Sequence, residues 1–199
     1  MSKDLILNRK IVLASTSPFR RALLSRLGIP FESTALNVDE ATLPGESAAA
    51  TALRLAAAKA YAVRPRFPNA LIIGSDQVAE LDGQHIGKPG SHDKAVRQLQ
   101  QMRSKTVVFH TALAVLESAS GQLETRMVPT TVSFRPVIDA QIEAYLRREE
   151  PYDCAGSAKF EELGIALMAG MEGSDPNALI GPPLIELISL LRNQGVEVI

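Results

Sequence analysis

Asp76 follows the apolar run Ala70-Leu-Ile-Ile-Gly74, so the pattern places a carboxylate at the C-terminal end of a buried strand. In open α/β sheets, ligands bind in the crevice beyond the strand C-termini, which suits Asp76 to acid–base or metal chemistry. Glu40, in the polar stretch Asn37-Val-Asp-Glu40, offers a second carboxylate from a loop. Two carboxylates beside a polyphosphate make a hard oxygen environment suited to Mg2+ or Mn2+. Lys59 shares the inward stripe of its helix with Ala52, Leu55, Ala56, Ala62 and Val63. Its ammonium either snorkels to water or faces a cavity holding negative charge, and the spacing favours the cavity. Lys88, between Gly87 and Pro89, is a similar candidate on a loop. Ser15-Thr-Ser-Pro-Phe-Arg-Arg21 lies where a strand hands over to a helix. Its hydroxyls, helix-start N–H groups and adjacent guanidinium groups, Arg20 included, suit phosphate. Phe19 either stacks on a base or packs against Leu23 one turn on. Spacing alone also allows plainer readings: a capped helix with solvated arginines, a turn cap at Asp76 and a surface charge at Glu40.

The elements that would position these residues follow from punctuation and periodicity. Lys10 to Ala14 reads as a strand, and Ser17-Pro18 opens a helix to Leu27 that Gly28 ends. Phe31 to Ala35 is a second strand, and a polar loop runs on to Pro44-Gly45. Ser47 caps an Ala-rich helix to Val63, and Ala70 to Gly74 is the next strand. Leu81-Asp-Gly-Gln84 is a hairpin turn, and Ser91 caps a helix to Met102. Thr106 to Leu116 and Glu124 to Arg135 are long strands joined by Ser118-Ala-Ser-Gly121. Asp139 to Arg148 is helical, Gly164 to Ala169 a strand, and a last helix follows Pro182-Pro183 with Leu184, Leu187, Ile188 and Leu191 on one face. Strands interleaved with helices, plus one antiparallel hairpin, predict a mixed β-sheet with helices on its faces.

The chain has 199 residues, enough for a core without disulfides or structural metals. Its 21 Lys+Arg against 22 Asp+Glu give a net charge of -1, which removes the broad field that nonspecific nucleic-acid or acidic-membrane binding needs. No G-x-G-x-x-G occurs, Gly83-Gln-His-Ile-Gly87-Lys88-Pro89 is too short and ends wrongly for a Walker motif, and His85, His92 and His110 form no H-E-x-x-H. Cys154 cannot pair within the chain and reads as an inert core thiol. Met1 to Lys10 lacks a signal-peptide core, and no apolar stretch reaches the ~18 residues of a membrane span. The expectation is a cytoplasmic protein with neither nucleic acid nor membrane as partner. A homodimer is admitted by the base rate for soluble enzymes, without a patch to mark it.

Leu13-Ala-Ser-Thr-Ser-Pro-Phe-Arg-Arg21, Val38-Asp-Glu40, Arg54-Leu-Ala-Ala-Ala-Lys59-Ala, Ile73-Gly-Ser-Asp76-Gln77, Gly87-Lys88-Pro89, Cys154-Ala-Gly-Ser157 and Gly181-Pro-Pro-Leu184 together resemble the Maf family of nucleoside triphosphate pyrophosphatases. The resemblance covers nearly the whole chain in order. It implies one Maf-like domain over residues 1–199, an α/β fold of the Maf/ITPase-like kind with two lobes around a central cleft. It also implies hydrolysis of a nucleoside triphosphate to monophosphate and diphosphate with a divalent metal, Mg2+ or Mn2+. On that resemblance Asp76 is the proton acceptor, Glu40 and Asp76 the metal carboxylates, and Ser15, Arg20, Lys59 and Lys88 the phosphate-handling set. The family group that prefers dTTP and UTP carries Arg at the position of Phe19, Thr at Gln77 and Gln at Glu161. An aromatic, Gln and Glu resemble instead the group acting on 7-methyl-GTP, with Phe19 standing where that group has Trp. The chemistry agrees: N7-methylation makes guanine cationic, so it stacks well on an aromatic ring, and Glu161 can accept from guanine N1–H and the exocyclic amine. The alternatives are a dTTP/UTP pyrophosphatase and a nucleotide-binding regulator of septum formation.

Overall fold

The computed structural model describes residues 9–35 and 37–199, so the reading of Met1 to Asn8 lies outside the described residues. In chain order the elements are β1 (Lys10–Leu13), α1 (Pro18–Ser25), β2 (Glu32–Ser33), α2 (Ala48–Val63), β3 (Ala70–Leu81), β4 (Gln84–Ile86), α3 (His92–Met102), β5 (Thr106–Glu117), β6 (Leu123–Phe134), α4 (Asp139–Glu149), β7 (Met168–Gly173) and α5 (Leu184–Asn193). The strands form one seven-stranded mixed sheet in the order β2-β1-β3-β5-β6-β7, with β4 also paired to β3. β1 runs parallel to β2 and β3, and the remaining pairs are antiparallel.

Side-chain alternation distributes the strands between two faces. Ile11 and Leu13 of β1, with Leu71 and Ile73 of β3, pack under α1 and α5 through Leu24, Leu184, Leu187 and Leu191. Val12, Ala14 and Ile72 pack on the other face against Ala60 and Val63 of α2. The 12-residue strands β3, β5 and β6 continue beyond this region. Their far ends join Leu99 and Met102 of α3, Ile142 and Leu146 of α4, and Phe160 in a separate apolar cluster. Each lobe therefore has its own core, and the long strands cross from one to the other.

The structure moves several boundaries, and β2 keeps only Glu32–Ser33 of the strand expected over Phe31 to Ala35. The strand expected over Ala70 to Gly74 runs to Leu81, because β5 pairs with it antiparallel from Leu71↔Glu117 to Glu80↔Val108. Asp76 thus stands in mid-strand. What ends near it is the parallel neighbour: β1 pairs with β3 only to Leu13↔Ile73, and β4 joins that same edge at Ala79↔Ile86. Among the described residues, Gly74 to Val78 have no strand partner on that edge, and this gap is where a crevice opens. The strand expected over Gly164 to Ala169 is shifted to Met168–Gly173, with Leu163–Leu167 forming a 3-10 turn. Its apolar letters mislead because Ile165 is exposed. α1 stops at Ser25, one turn before Gly28, whose φ of 67° is left-handed. The Asp82-Gly83 turn, with φ of 52° and 78°, is the expected hairpin geometry.

Candidate active site

The approach of α2 to β3 sets the centre of the site. A Cβ on Gly74 would lie 2.1 Å from the Ala56 carbonyl oxygen, so only glycine allows the helix this close. Asp76 is two residues beyond Gly74 and therefore on the same face of the strand, while Lys59 lies one turn beyond Ala56. The small residues thus bring the two charges together. Lys59 Nζ donates to Asp76 Oδ1 at 2.5 Å and meets Glu40 Oε1 at 2.7 Å, and Lys88 Nζ meets Glu40 Oε2 at 2.8 Å. Lys59 is 6% exposed and Asp76 7%. Of the two readings of Lys59, the structure selects the one that faces negative charge.

The loop carrying Glu40 is itself fastened to α2. Arg54 donates to both oxygens of Glu46 at 2.8 Å and to the Ala41 carbonyl at 2.9 Å, and Thr51 donates to Glu46 at 2.9 Å. Burial works against ionisation of Glu40, yet hydrogen bonds and charge from Lys59 and Lys88 outweigh it and hold its carboxyl at about 2.

The strand gap is occupied from α1. Arg20 donates to the Ser75 carbonyl at 2.7 Å, satisfying backbone that a strand would otherwise pair. Burial lowers the pKa of Arg20, while Asp76 and Glu40 favour its cationic form. Ser17 caps α1 by accepting from the Arg20 N–H, and Ser15 Oγ accepts from the Ser17 N–H at 3.1 Å. Because these bonds occupy the Ser17 and Arg20 N–H groups, the first turn keeps fewer free donors than the sequence pattern suggested. The Ser15 hydroxyl proton remains available to an anion.

Gln77 is held from behind. Its side-chain nitrogen donates to Thr111 Oγ1 at 2.9 Å and to the Leu179 carbonyl at 2.8 Å, with the Ala178 carbonyl at 3.2 Å. The amide nitrogen is thereby engaged by protein, and the carbonyl oxygen is the part left for a ligand. Buried Asp175 fixes those carbonyls, accepting from Asn177 N at 2.8 Å and Ile185 N at 2.7 Å.

Ser15, Phe19, Arg20, Glu40, Lys59, Asp76, Gln77, Lys88 and Glu161 all line one cleft of about 600 Å³, within the range of small-molecule sites. Residues from the second lobe form its far wall, Asp153 to Ala155 and Ala158 to Glu161. Burial raises the pKa of Glu161, with Glu162 and Asp153 adding to the effect. Cys154 is half-buried on this wall and not in a core, and burial beside Asp153 pushes its thiol up to about 12, which agrees with inertness.

Among the described residues no group of three or more His, Cys, Asp or Glu is arranged to hold a metal ion. The pair Glu40 and Asp76 nevertheless fits a cation delivered with a polyphosphate. Mg2+ characteristically binds one or two carboxylates and completes its shell with phosphate oxygens and water. Such an ion would share these carboxylates with Lys59.

Sequence reading assigned no role to Arg54, Glu46, Thr111 or Asp175, which position other groups. Only Asp175 carried a local signal, the turn-prone Asp175-Pro-Asn177 before a helix. No helix in the described residues is long and apolar enough to cross a membrane.

Known proteins are similar to this chain along most of its length. A 7-methyl-GTP pyrophosphatase of Methylobacillus flagellatus is 58% identical over 189 residues, 95% of this chain and 98% of that protein. One of Thiobacillus denitrificans is 57% identical over 95% of this chain and 94% of its own length. One of Albidiferax ferrireducens is 53% identical over 97% of each. Among solved structures, the Staphylococcus aureus Ham1 protein overlaps with a TM-score of 0.46 and 13% identity, over 64% of this chain and 73% of that one. The family profile described as Maf-like protein matches residues 10–194, and with that span and those identities the chain belongs to the Maf family.

Proposed function

We propose that the protein hydrolyses 7-methyl-GTP to 7-methyl-GMP and diphosphate. The observation that carries this reading is the single cleft that joins the Glu40–Lys59–Asp76 cluster to Phe19, Gln77 and Glu161. The names of relatives above 50% identity over nearly the full chain support the same substrate.

In this reading Arg20, Lys59 and Lys88 neutralise the charge that develops on the phosphates, the main requirement of nucleotidyl transfer. Ser15 donates its hydroxyl proton to a phosphate oxygen. Asp76 accepts a proton from the attacking water, and Lys59, bonded to Oδ1, holds the carboxylate in place. Glu40 and Asp76 would hold a divalent cation, which when bound supplies Lewis-acid stabilisation of the polyphosphate. Phe19 stacks on the cationic base. Glu161 accepts from guanine N1–H and the exocyclic amine, and the Gln77 carbonyl offers a further acceptor. The lone Cys154 fits a reducing compartment, and we place the reaction in the cytoplasm, with a homodimer admitted by the base rate for soluble enzymes.

The test is incubation of purified protein with Mg2+ or Mn2+ and 7-methyl-GTP, GTP, dTTP, UTP or CTP, measuring pyrophosphate and nucleoside monophosphate separately. Preferential release of 7-methyl-GMP with pyrophosphate is expected. Preference for dTTP or UTP keeps the reaction but overturns the base assignment. Absence of turnover with every nucleotide overturns the enzyme reading in favour of a nucleotide-binding regulator.

A further inference from the structure

The loop that carries Lys88 and the turn that begins the Glu161 wall are joined by a single side chain. Gln98, half-buried on α3, donates from its amide nitrogen to the Gly87 carbonyl at 3.0 Å. Its amide oxygen accepts from the Ser157 hydroxyl at 2.5 Å. The Gly156 N–H also reaches the Gly87 carbonyl at 3.4 Å, and the Gly90 N–H donates to the Tyr152 carbonyl at 2.9 Å. Both halves of the amide are thus used, each on a different segment.

The turn that receives this bond is unusual. Gly156 and Ser157 both adopt left-handed backbone, with φ of 69° and 55°. A serine keeps that conformation only where its surroundings impose it, and fully buried Ser157 has Gln98 as its hydroxyl's partner. Ala95, Leu99 and Met102 bury the same helix in the core, so Gln98 speaks from a fixed position to two loops. Neither Gln98 nor Ser157 lines the cleft.

We propose that Gln98 is a positioning residue that fixes the Lys88 loop and the base-facing wall as one unit, so that phosphate engagement and base selection are set in register. The proposal rests on the pyrophosphatase reading for its kinetic consequence, and on the hydrogen bonds alone for its structural one.

The variant Gln98→Leu removes both bonds at similar size, and Gln98→Glu keeps an acceptor for Ser157 while losing the donor to Gly87. For Gln98→Leu, kcat/KM for 7-methyl-GTP is expected to fall about tenfold, as two modest hydrogen bonds imply. The ratio of 7-methyl-GTP to GTP turnover should shrink with it, and Gln98→Glu should fall between. Lys88→Ala, by contrast, should lower both nucleotides in proportion and leave that ratio intact. A Gln98→Leu protein with lowered thermal stability but wild-type base discrimination overturns the proposal, since it assigns Gln98 a purely structural role. Amide hydrogen exchange on the ligand-free proteins separates the two levels. Gln98→Leu should speed exchange in residues 87–90 and 154–158 together, and unchanged exchange in either segment sinks the link even if wild-type turnover is as expected. If wild-type protein turns over nothing, the pyrophosphatase reading fails while the exchange result still decides the link.

Discussion

On one wall of the cleft, Lys59 and Asp76 stand on α2 and β3, both nearly buried and bonded to each other. On the other, residues 153–161 hang on turns whose backbone enters the left-handed region at Gly156 and Ser157. Two glutamates sharpen the contrast. Glu40, between two lysines, is held ionised with its carboxyl at about 2. Glu161 has its carboxyl raised by burial, and its acidic neighbours add to the shift. The same side chain is tuned in opposite directions by its partners. The Lys59–Asp76 pair is thus built on a helix–strand contact that cannot shift without repacking, whereas Glu161 stands among turns.

The strongest way to break that contrast is at Asp76. Asp76→Asn should leave the fold intact and cut turnover about 1,000-fold, in the range that general-base removal produces. Single-turnover assays beside a thermal melt decide this, and near-wild-type activity removes Asp76 from the mechanism. Next is the helix contact. Gly74→Ala places a Cβ 2.1 Å from the Ala56 carbonyl, so α2 must move, and a cost of about 1–3 kcal/mol is expected in urea unfolding. Because Lys59 rides on α2, turnover should drop in the same variant.

The base-reading residues should behave differently. The triple change Phe19→Arg, Gln77→Thr and Glu161→Gln should swing preference from 7-methyl-GTP toward dTTP or UTP by about 100-fold in relative kcat/KM. No swing would discredit the three positions while leaving Asp76 untouched. The smallest effect concerns pH. Glu161 loses its charge as pH falls through its raised pKa, whereas Glu40 stays ionised down to about 2. The preference for 7-methyl-GTP over GTP should therefore weaken, by a few-fold, at a pH above the ordinary carboxylate range of about 4.3. Glu161→Gln should remove that dependence, and a profile unchanged by the substitution would place the titrating group elsewhere.

Much of the phosphate-facing wall was legible in local pattern. Lys59 breaks an apolar stripe, and a broken stripe demands a partner for the charge, which Asp76 and Glu40 supply. The helix bounds of α2 followed from Ser47 and Pro65, because capping is a local interaction. Mid-strand Asp76 was not legible. Ser75-Asp-Gln77 looks like a strand end because its polarity reflects the cleft, while the bonds that prolong β3 come from β5, far along the chain. β7 was misplaced because an edge strand with five exposed residues lacks the alternation that marks a half-buried one. Gln98 left no trace, since an amide on a helix acquires meaning only from the two loops that tertiary packing brings to it.

The pairing of β1 with β3 also bears on how the molecule forms. β5 and β6 close a short turn, with Leu116 opposite Leu123, whereas Lys10 must find Ala70 about sixty residues along the chain. Loop closure grows costlier with separation, and non-local pairings slow folding. The β5–β6 hairpin can therefore assemble from nearby partners, but Ser15 and Arg20 reach the gap beside Ser75 only once β1 has docked. During refolding, strand signal should rise before nucleotide hydrolysis returns, making catalytic competence a late report on long-range closure.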